Sequence, residues 1–530
     1  MSQFKLITKL EEISKSKLPP EEVTKFVKSG RSPKVENLVR SALEDSNTLN
    51  GIELIAPLIQ KIIIQKIIGD YNNTSKPLLL FLQDDLILNF LKTGLITNLF
   101  LEDFFQKVRS TITEKFAKNF VVDPDSYKQS IPCLKAIATQ CFVNEYIWDI
   151  SEKDKKNLKL ILVKSENFIK NNSKIPNPFI LILSSFQSLN KYTNISDYVN
   201  KTIDNYKGID DIIKRQLLDF YEEEKIVKTI NNLTSVEDVT SRKVKDQYEE
   251  NPYPRWLNIP ESPKNKTYGS SINDSLFKKI PKEKIDTLSN VLIAGCGTGR
   301  HPIFIAALDK DIAITAIDIS KASLSYGKRM GQKIGLQNIR WAQADILKLD
   351  NIKKQYDVIE SVGVIHHMKD PKKGFESLGR RLKKNGLLKL GLYARYFRKG
   401  RLEPIKNYIA KNKLSPTAES IREVRKYIFN NLKNSDYSPL ATIPDYYNTS
   451  GFRDLLMHVQ EWDYTIPEIK EMIKDKYNFI GFTLPEDKFE KYKKKFPEDR
   501  FLNNLDNWHI FEKENPDFFA GMYQFWLQKK

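Results

Sequence analysis

Cysteine, histidine and long apolar runs are what this chain has little of. Three cysteines (Cys133, Cys141 and Cys296) in 530 residues cannot build a disulfide framework. The start, M-S-Q-F-K-L-I-T-K-L-E-E, has no apolar leader, so the reading is a protein of the reducing cytoplasm. The five histidines show no metal-ligand spacing with the cysteines, and no metal is expected. No stretch approaches the ~18 apolar residues of a membrane span. Leu54–Ile68 and Pro77–Leu91 come nearest, and Lys61, Lys66, Asp84 and Asp85 break them. The net charge of +18 could favour nucleic acid. There is no basic stripe interleaved with aromatics and no RNA-binding motif, which argues against that partner. The densest cluster, Lys493–Lys495, has acidic neighbours and reads as solvated surface.

What is present is globular: 40% hydrophobic and 29% charged residues. At ~150 residues per domain the length suggests roughly three or four domains. Residues 1 to about 235 read as helical, with apolar positions recurring at three and four, as in Leu54, Leu58 and Ile62. Asn119–Asp125 divides this region into 1–120 and 121–235. Segments such as 78–100 are more apolar than a one-faced helix needs. They fit either a dimer interface in the first ~120 residues or a plain helical core. A third domain is read over 236–400 and a fourth, mixed one over 401–530. In the last, helices are expected at 417–432 and 451–461, the first started by Ser415-Pro416.

Within 285–395 strands and helices alternate. The strands read are Asn290–Ala294, Ala313–Asp318, Ile339–Gln343, Tyr356–Val362 and Leu387–Tyr393, with helices at 299–308, 320–335 and 371–384. Such alternation means a parallel sheet covered on both faces. The first strand runs into G-C-G-T-G, with Gly295, Gly297 and Gly299 making a turn whose backbone can approach a ligand. Cys296 reads as a small turn residue rather than a nucleophile. Arg300 and His301 open the following helix, where a carboxylate would be welcome. Asp318 ends the second strand and suits ribose hydroxyls. Asp345, with the Ile346 amide, suits an adenine amino edge. The segment from Asp357 to His367 carries a tip, Glu360, Ser361, Val362, Gly363 and Val364, expected beside the reactive end of a cofactor. Of the adjacent His366 and His367, one faces the cofactor and the other is packed or exposed. An arm, Y-E-E-N-P-Y-P-R-W over 248–256, precedes all this. Its Tyr253, Arg255 and Trp256 form either an aromatic lid or a strip packed on the sheet edge.

A dinucleotide enzyme would show G-x-G-x-x-G, and here the third glycine comes one residue early. The ordered set of glycine turn, Asp318, A-D-I at Asp345 and D-V-I…G-V-I-H-H-M resembles the class I S-adenosylmethionine-dependent methyltransferases. The arm, D-Y-Y-N-T-S-G-F-R-D-L-L-M-H-V-Q-E-W at 445–462 and N-P-D-F-F-A-G-M-Y-Q-F-W at 515–526 extend the resemblance over about 245–530. Composition and length are similar to the rickettsial protein-lysine methyltransferases that modify outer membrane protein B. The resemblance implies an α/β Rossmann-like core with a seven-stranded, mostly parallel sheet, an all-α N-terminal region, a mixed C-terminal domain and a homodimer. It implies S-adenosylmethionine as cofactor, held by Arg255, Trp256, Gly295, Cys296, Gly297, Gly299, Arg300, Asp318, Ile319, Asp345, Ile346, Ser361, Val362, Gly363 and His366. It implies a protein substrate whose lysine ammonium is received by a carboxylate or by aromatic faces, for which the candidates are Tyr253, Glu360, Tyr393 and Tyr446. His458 and Asp445 are cavity residues on the same ground. The rival readings are methylation of a small molecule or lipid intermediate, and a helical adaptor with a vestigial methyltransferase core.

Overall fold

The computed structural model describes residues 36, 39–40, 52–71, 83–118, 124–257, 266–276, 279–431, 440–441 and 443–530. They form two compact units. The first takes the described residues of 1–222, 255–260 and 417–455; the second takes those of 223–254, 261–416 and 456–530.

In the first unit the described regular elements are helices. The helices include Asp85–Thr93, Leu99–Lys118, Pro124–Val143 and Glu152–Lys170. Ser151 starts the last of these with a capping box: its hydroxyl accepts from Asp154 N at 3.1 Å and Asp154 Oδ2 accepts from Ser151 N at 2.9 Å. Ile59, Ile63, Leu86, Ile87, Phe90 and Leu91 are fully buried in this unit, each such side chain contributing ~1.5–3 kcal/mol. Residues 78–82 lie outside the described set, as do 119–123 at the expected division. That division does not separate two units. Gln140, on the helix after it, donates to Leu91 O at 3.1 Å and Gly94 O at 2.7 Å, and accepts from Ile96 N at 2.9 Å.

The stretch 417–455 also departs from expectation, since it joins the helical unit rather than a C-terminal domain. Its helix Ala418–Asn430 buries Ile421, Val424 and Ile428. Arg425 pairs with Glu102 at 2.8 Å, both side chains over nine-tenths buried. Arg422 donates to Trp148 O at 2.9 Å. The helix is capped by Thr417, whose hydroxyl accepts from Ser420 N, two residues beyond the expected Ser415.

The second unit is built on one sheet. Its strands are β1 Asn231–Asn232, β2 Asn290–Ala294, β3 Ala313–Asp318, β4 Ile339–Gln343, β5 Tyr356–Val362, β6 Leu382–Tyr393, β7 Tyr477–Phe482 and β8 Met522–Lys529. The order is β1-β4-β3-β2-β5-β6-β8-β7. Neighbours from β1 to β6 are parallel; β8 is antiparallel to β6 and to β7. The sheet thus has eight strands, not seven. The extra one is β1, a two-residue pairing on the β4 edge that is too short to carry an apolar pattern. β7 and β8 come from the region read as a separate C-terminal domain. They belong to the sheet because Tyr523, Phe525 and Leu527 alternate into its core. Chain order reverses between β2 and β5, the switch point where α/β sheets bind ligands outside their strand ends.

Candidate functional site

The glycine turn at the end of β2 is held from behind by the arm. Thr298 N donates to Tyr253 O at 3.2 Å, and Thr298 Oγ1 donates to Pro254 O. Gly297 has φ +52, and a Cβ there would stand 2.6 Å from Tyr253 O. Gly299 has φ +80, and a Cβ would meet Trp341 at 2.5 Å. Glycine is required at both positions by handedness and by space. Gly295 lies against Val364, so the β2 turn and the β5 tip meet. Burial and the nearby Asp318 push the Cys296 thiol well above its ordinary value, which leaves no thiolate nucleophile.

Asp318 ends β3, 8% exposed. Its Oδ2 accepts from Gly297 N at 2.8 Å and its Oδ1 from Ser320 N at 2.9 Å. Burial pushes its carboxyl up to about 6, against those hydrogen bonds. Ile319 follows, partly exposed, its carbonyl taking Gln343 Nε2 at 2.8 Å. Asp345, just past β4, is 3% exposed. Its Oδ1 accepts from Leu347 N at 2.9 Å, while Oδ2 is buried and makes no hydrogen bond of ordinary geometry, with the Ser241 hydroxyl near the carboxyl. Burial raises this carboxyl too, and the Leu347 amide and then the Ser241 hydroxyl only partly offset it. An open acceptor beside a capped turn fits an exocyclic amino group, and an ionisable carboxylate at a β-strand end fits a ribose diol. On these two observations the residues present fit the adenosyl part of S-adenosylmethionine. Ile346 is 5% exposed under the same turn.

Several contributors were not read from the sequence. Thr234 Oγ1 accepts from Asp345 N at 2.7 Å; it follows β1, in a stretch that reads only as polar linker. The Glu249 carboxylate accepts from Lys321 N and Ala322 N at 2.8 and 3.0 Å, and Tyr248 O accepts from Ser320 Oγ at 3.1 Å. The arm therefore grips the β3 end as well as the glycine turn. A carboxylate three residues before a proline carries no signal of that kind.

The β5 tip divides its residues between the two faces of the sheet. Ser361 and His366 are fully buried; Val362 and Gly363 are partly exposed, and Gly363 N donates to Gly391 O at 3.2 Å. Glu360 is 2% exposed and faces the helix Arg300–Leu308. His301 Nε2 lies 3.0 Å from its Oε2, Lys389 Nζ lies 3.5 Å from the same atom, and Tyr268 donates its hydroxyl to Oε1. Burial alone would raise this carboxyl, but His301, Lys389 and Tyr268 together hold it far below the usual range. Glu360 is thus a committed, buried anion and not an open receiver for a substrate cation. Strand alternation, unreadable in E-S-V alone, decides its face. Arg300 is partly exposed at the start of that helix.

Tyr393, at the end of β6, is 6% exposed and lies against His366 with centroids 3.8 Å apart and planes tilted by 35°, while Arg398 covers its ring at 3.7 Å. Arg255, Trp256 and Tyr446 belong to the first unit. Arg255 lies over Phe142 at 4.4 Å and donates to Phe142 O at 3.4 Å. Trp256 is 5% exposed. Tyr446 is buried, with Arg425 over its ring at 4.6 Å and its hydroxyl on Arg425 O at 3.4 Å; burial pushes that phenol up to about 12. Arg255 and Tyr446 thus have partners within the helical unit.

A Rossmann-like sheet with a glycine turn, a strand-end Asp318 and an open Asp345 acceptor defines a nucleotide-cofactor domain of the methyltransferase type. Residues 285–428 match the family described as "Methyltransferase domain". The chain is 35% identical over 105 residues to an uncharacterized protein of Synechococcus sp., covering 20% of this chain and 25% of that one. It is 34% identical over 80 residues to a probable (S)-tetrahydroprotoberberine N-methyltransferase 2 of Papaver bracteatum, covering 15% and 22%. The chain thus spans about a quarter of the length of these curated relatives. Among solved structures, PKMT2 from Rickettsia typhi in complex with AdoHcy aligns with a TM-score of 0.35 and 19% identity, covering 47% of this chain and 49% of that one. That likeness is too slight to carry function.

Proposed function

We infer that the chain is an S-adenosylmethionine-dependent methyltransferase whose acceptor is the side-chain amine of lysine in a protein. The observation that carries the cofactor is the paired state of Asp318 and Asp345: one ionisable strand-end carboxylate, and one buried oxygen that makes no hydrogen bond of ordinary geometry. When bound, the cofactor supplies a methyl group on a sulfonium. The chain's part is to align the acceptor and exclude water, which can contribute up to ~7–11 kcal/mol. The matched relative named as an N-methyltransferase supports an amine acceptor, and the similarity in composition and length to the rickettsial protein-lysine methyltransferases supports lysine on a bacterial surface or outer membrane protein. Arg300 and Gly363 complete the cofactor set in this reading, and Tyr253 and Tyr393 receive the acceptor. The enzyme would act in the cytoplasm, as a dimer, before its substrate is exported. No helix among the described residues is long and apolar enough to cross a membrane.

A second reading rests on the same relative, a probable (S)-tetrahydroprotoberberine N-methyltransferase, and takes a small-molecule amine as acceptor. Mass spectrometry separates the two. The full chain is incubated with methyl-labelled S-adenosylmethionine and a recombinant bacterial outer membrane protein, and in parallel with small tertiary and primary amines. Label on lysines of the protein is expected. Label on the small amines alone would replace the lysine reading.

A further inference from the structure

Only five histidines occur in the chain, and three of them meet in the second unit. His366 and His367 follow β5 in a single turn, Ile365–His367. His458 comes from a loop ninety residues on and stacks on His367, with centroids 3.6 Å apart and planes 27° from parallel. His366 lies edge-on behind them, 4.3 Å from His367. Exposure rises along the row: His366 is fully buried, His367 is 5% exposed and His458 is partly exposed. His458 is therefore the member that a ligand can reach.

One carbonyl orients the pair. His367 Nδ1 lies 2.9 Å and His458 Nδ1 2.7 Å from Gln460 O. A carbonyl only accepts, so each Nδ1 carries a hydrogen and each neutral ring keeps its lone pair on Nε2. Gln460 N also lies 3.2 Å from His458 Nδ1. The carbonyl contact is the shorter, and two facing lone pairs at 2.7 Å would repel, so the carbonyl sets the tautomer. Tyr248 places its hydroxyl 3.4 Å from His458 Nε2. The same residue accepts from Ser320 Oγ through its backbone oxygen, two positions past Asp318. The basic edge of His458 is thereby tied to the arm that grips the cofactor crevice. Trp462 N donates to His366 O at 2.8 Å, which fixes the other end of the 458–462 loop to the β5 turn.

The geometry points to His458 as the proton acceptor for the methyl-accepting amine, with His367, Gln460 and Tyr248 as its positioning residues. This rests on the amine-methylating reading above. A lysine amine arrives protonated, its ordinary pKa being ~10.4. Its ammonium gives one proton to His458 Nε2, and the freed nitrogen lone pair forms the new bond to the methyl carbon as the carbon–sulfur bond breaks. The products are a methylammonium and the neutral thioether. The imidazolium returns its proton to solvent through its exposed edge. Among the groups of the second unit that face it are His367 and His366 from the β5 turn, Tyr248 from the helix Val239–Glu250, and, behind His366, Tyr393 and Arg398 from β6 and the following helix. His366 is held neutral, first by burial and then by His367, Arg398 and His458, so it does not compete for the proton.

Two measurements on the full chain test this. The first is nitrogen-15 spectroscopy of the histidine-labelled protein with S-adenosylhomocysteine bound, His458 being assigned through His458→Gln. The neutral Nδ1–H tautomer is expected; an Nε2–H tautomer for His458 overturns the assignment whatever the acceptor is. The second uses a lysine protein that the wild type methylates. His458→Gln should lower kcat by roughly 10²–10⁴-fold with cofactor affinity by calorimetry unchanged, and His458→Ala should be partly restored by added imidazole. A His458→Gln enzyme with wild-type kcat, or an inactive His458→Ala enzyme that imidazole leaves inactive, also overturns it. Failure of the wild type on every lysine protein would instead sink the lysine reading, and the tautomer would still decide the role of His458.

Discussion

Asp318 titrates in a range that makes its role measurable. Burial pushes its carboxyl up to about 6. If the ionised carboxylate accepts the ribose hydroxyls, protonation removes that acceptor, so cofactor affinity falls as pH drops through this value. With a midpoint of about 6 the group is about 97% ionised at pH 7.5 and about 9% at pH 5, so affinity should fall roughly tenfold, or about 1.4 kcal/mol. Asp318→Asn should bind weakly and show no such dependence. Asp318→Ala should cost ~1.5–3 kcal/mol, the range for hydrogen bonds to a charged group. The assay is calorimetric titration of S-adenosylhomocysteine into the full chain at several pH values. Asp345 is also raised by burial, so Asp345→Asn is titrated in parallel to separate the two carboxyls. Affinity that is flat from pH 5 to 7.5 in the wild type, or unchanged in Asp318→Ala, would refute the assignment.

Gly299→Ala should abolish cofactor binding or fold poorly, because ~1–2 kcal/mol of left-handed strain adds to a clash with Trp341; normal calorimetric affinity would contradict this. Arg425→Met should destabilise the first unit by ~3–5 kcal/mol in urea unfolding, since it leaves Glu102 as a buried unpaired charge. Glu360→Gln should lower thermal stability while leaving the pH profile of kcat in place, because Glu360 is bound by His301, Lys389 and Tyr268 and is no proton acceptor. Glu512 is buried against the Tyr523 hydroxyl, which donates to it at 2.6 Å, and burial pushes its carboxyl up to about 7. The folded state then holds a proton that the unfolded state has lost, so stability should fall by about 3 kcal/mol as pH rises from about 4.5 to about 7. Glu512→Gln should flatten that slope in a pH series of unfolding curves.

The parallel core was legible because its strands are short apolar runs that end on polar stations. The ranges read for β2, β3, β4 and β5 are those observed. β6 begins five residues before the expected Leu387, since L-K-K-N-G offers no strand pattern. The region after 400 was less legible. Its helix at 417–432 is found at Ala418–Asn430, and that at 451–461 is found at Thr449–Leu456. Its strands β7 and β8 were missed because Y-N-F-I-G-F and M-Y-Q-F-W-L-Q-K carry no turn signal that ties them to a sheet two hundred residues earlier. Composition likewise could not tell that Arg425 would find Glu102, and so could not assign 417–455 to the helical unit. In the site, single carboxylates at strand ends were readable from position alone. The face of Glu360, the open oxygen of Asp345 and the convergence of three histidines depend on packing, which no local pattern encodes.

A crystal structure of the full chain with S-adenosylhomocysteine tests the central claim most directly. The account predicts the ligand outside the ends of β2 and β5, its ribose hydroxyls on Asp318 and its adenine amino group on Asp345 Oδ2. A ligand bound elsewhere, or one in the crevice that leaves both carboxylates without it, would contradict the account.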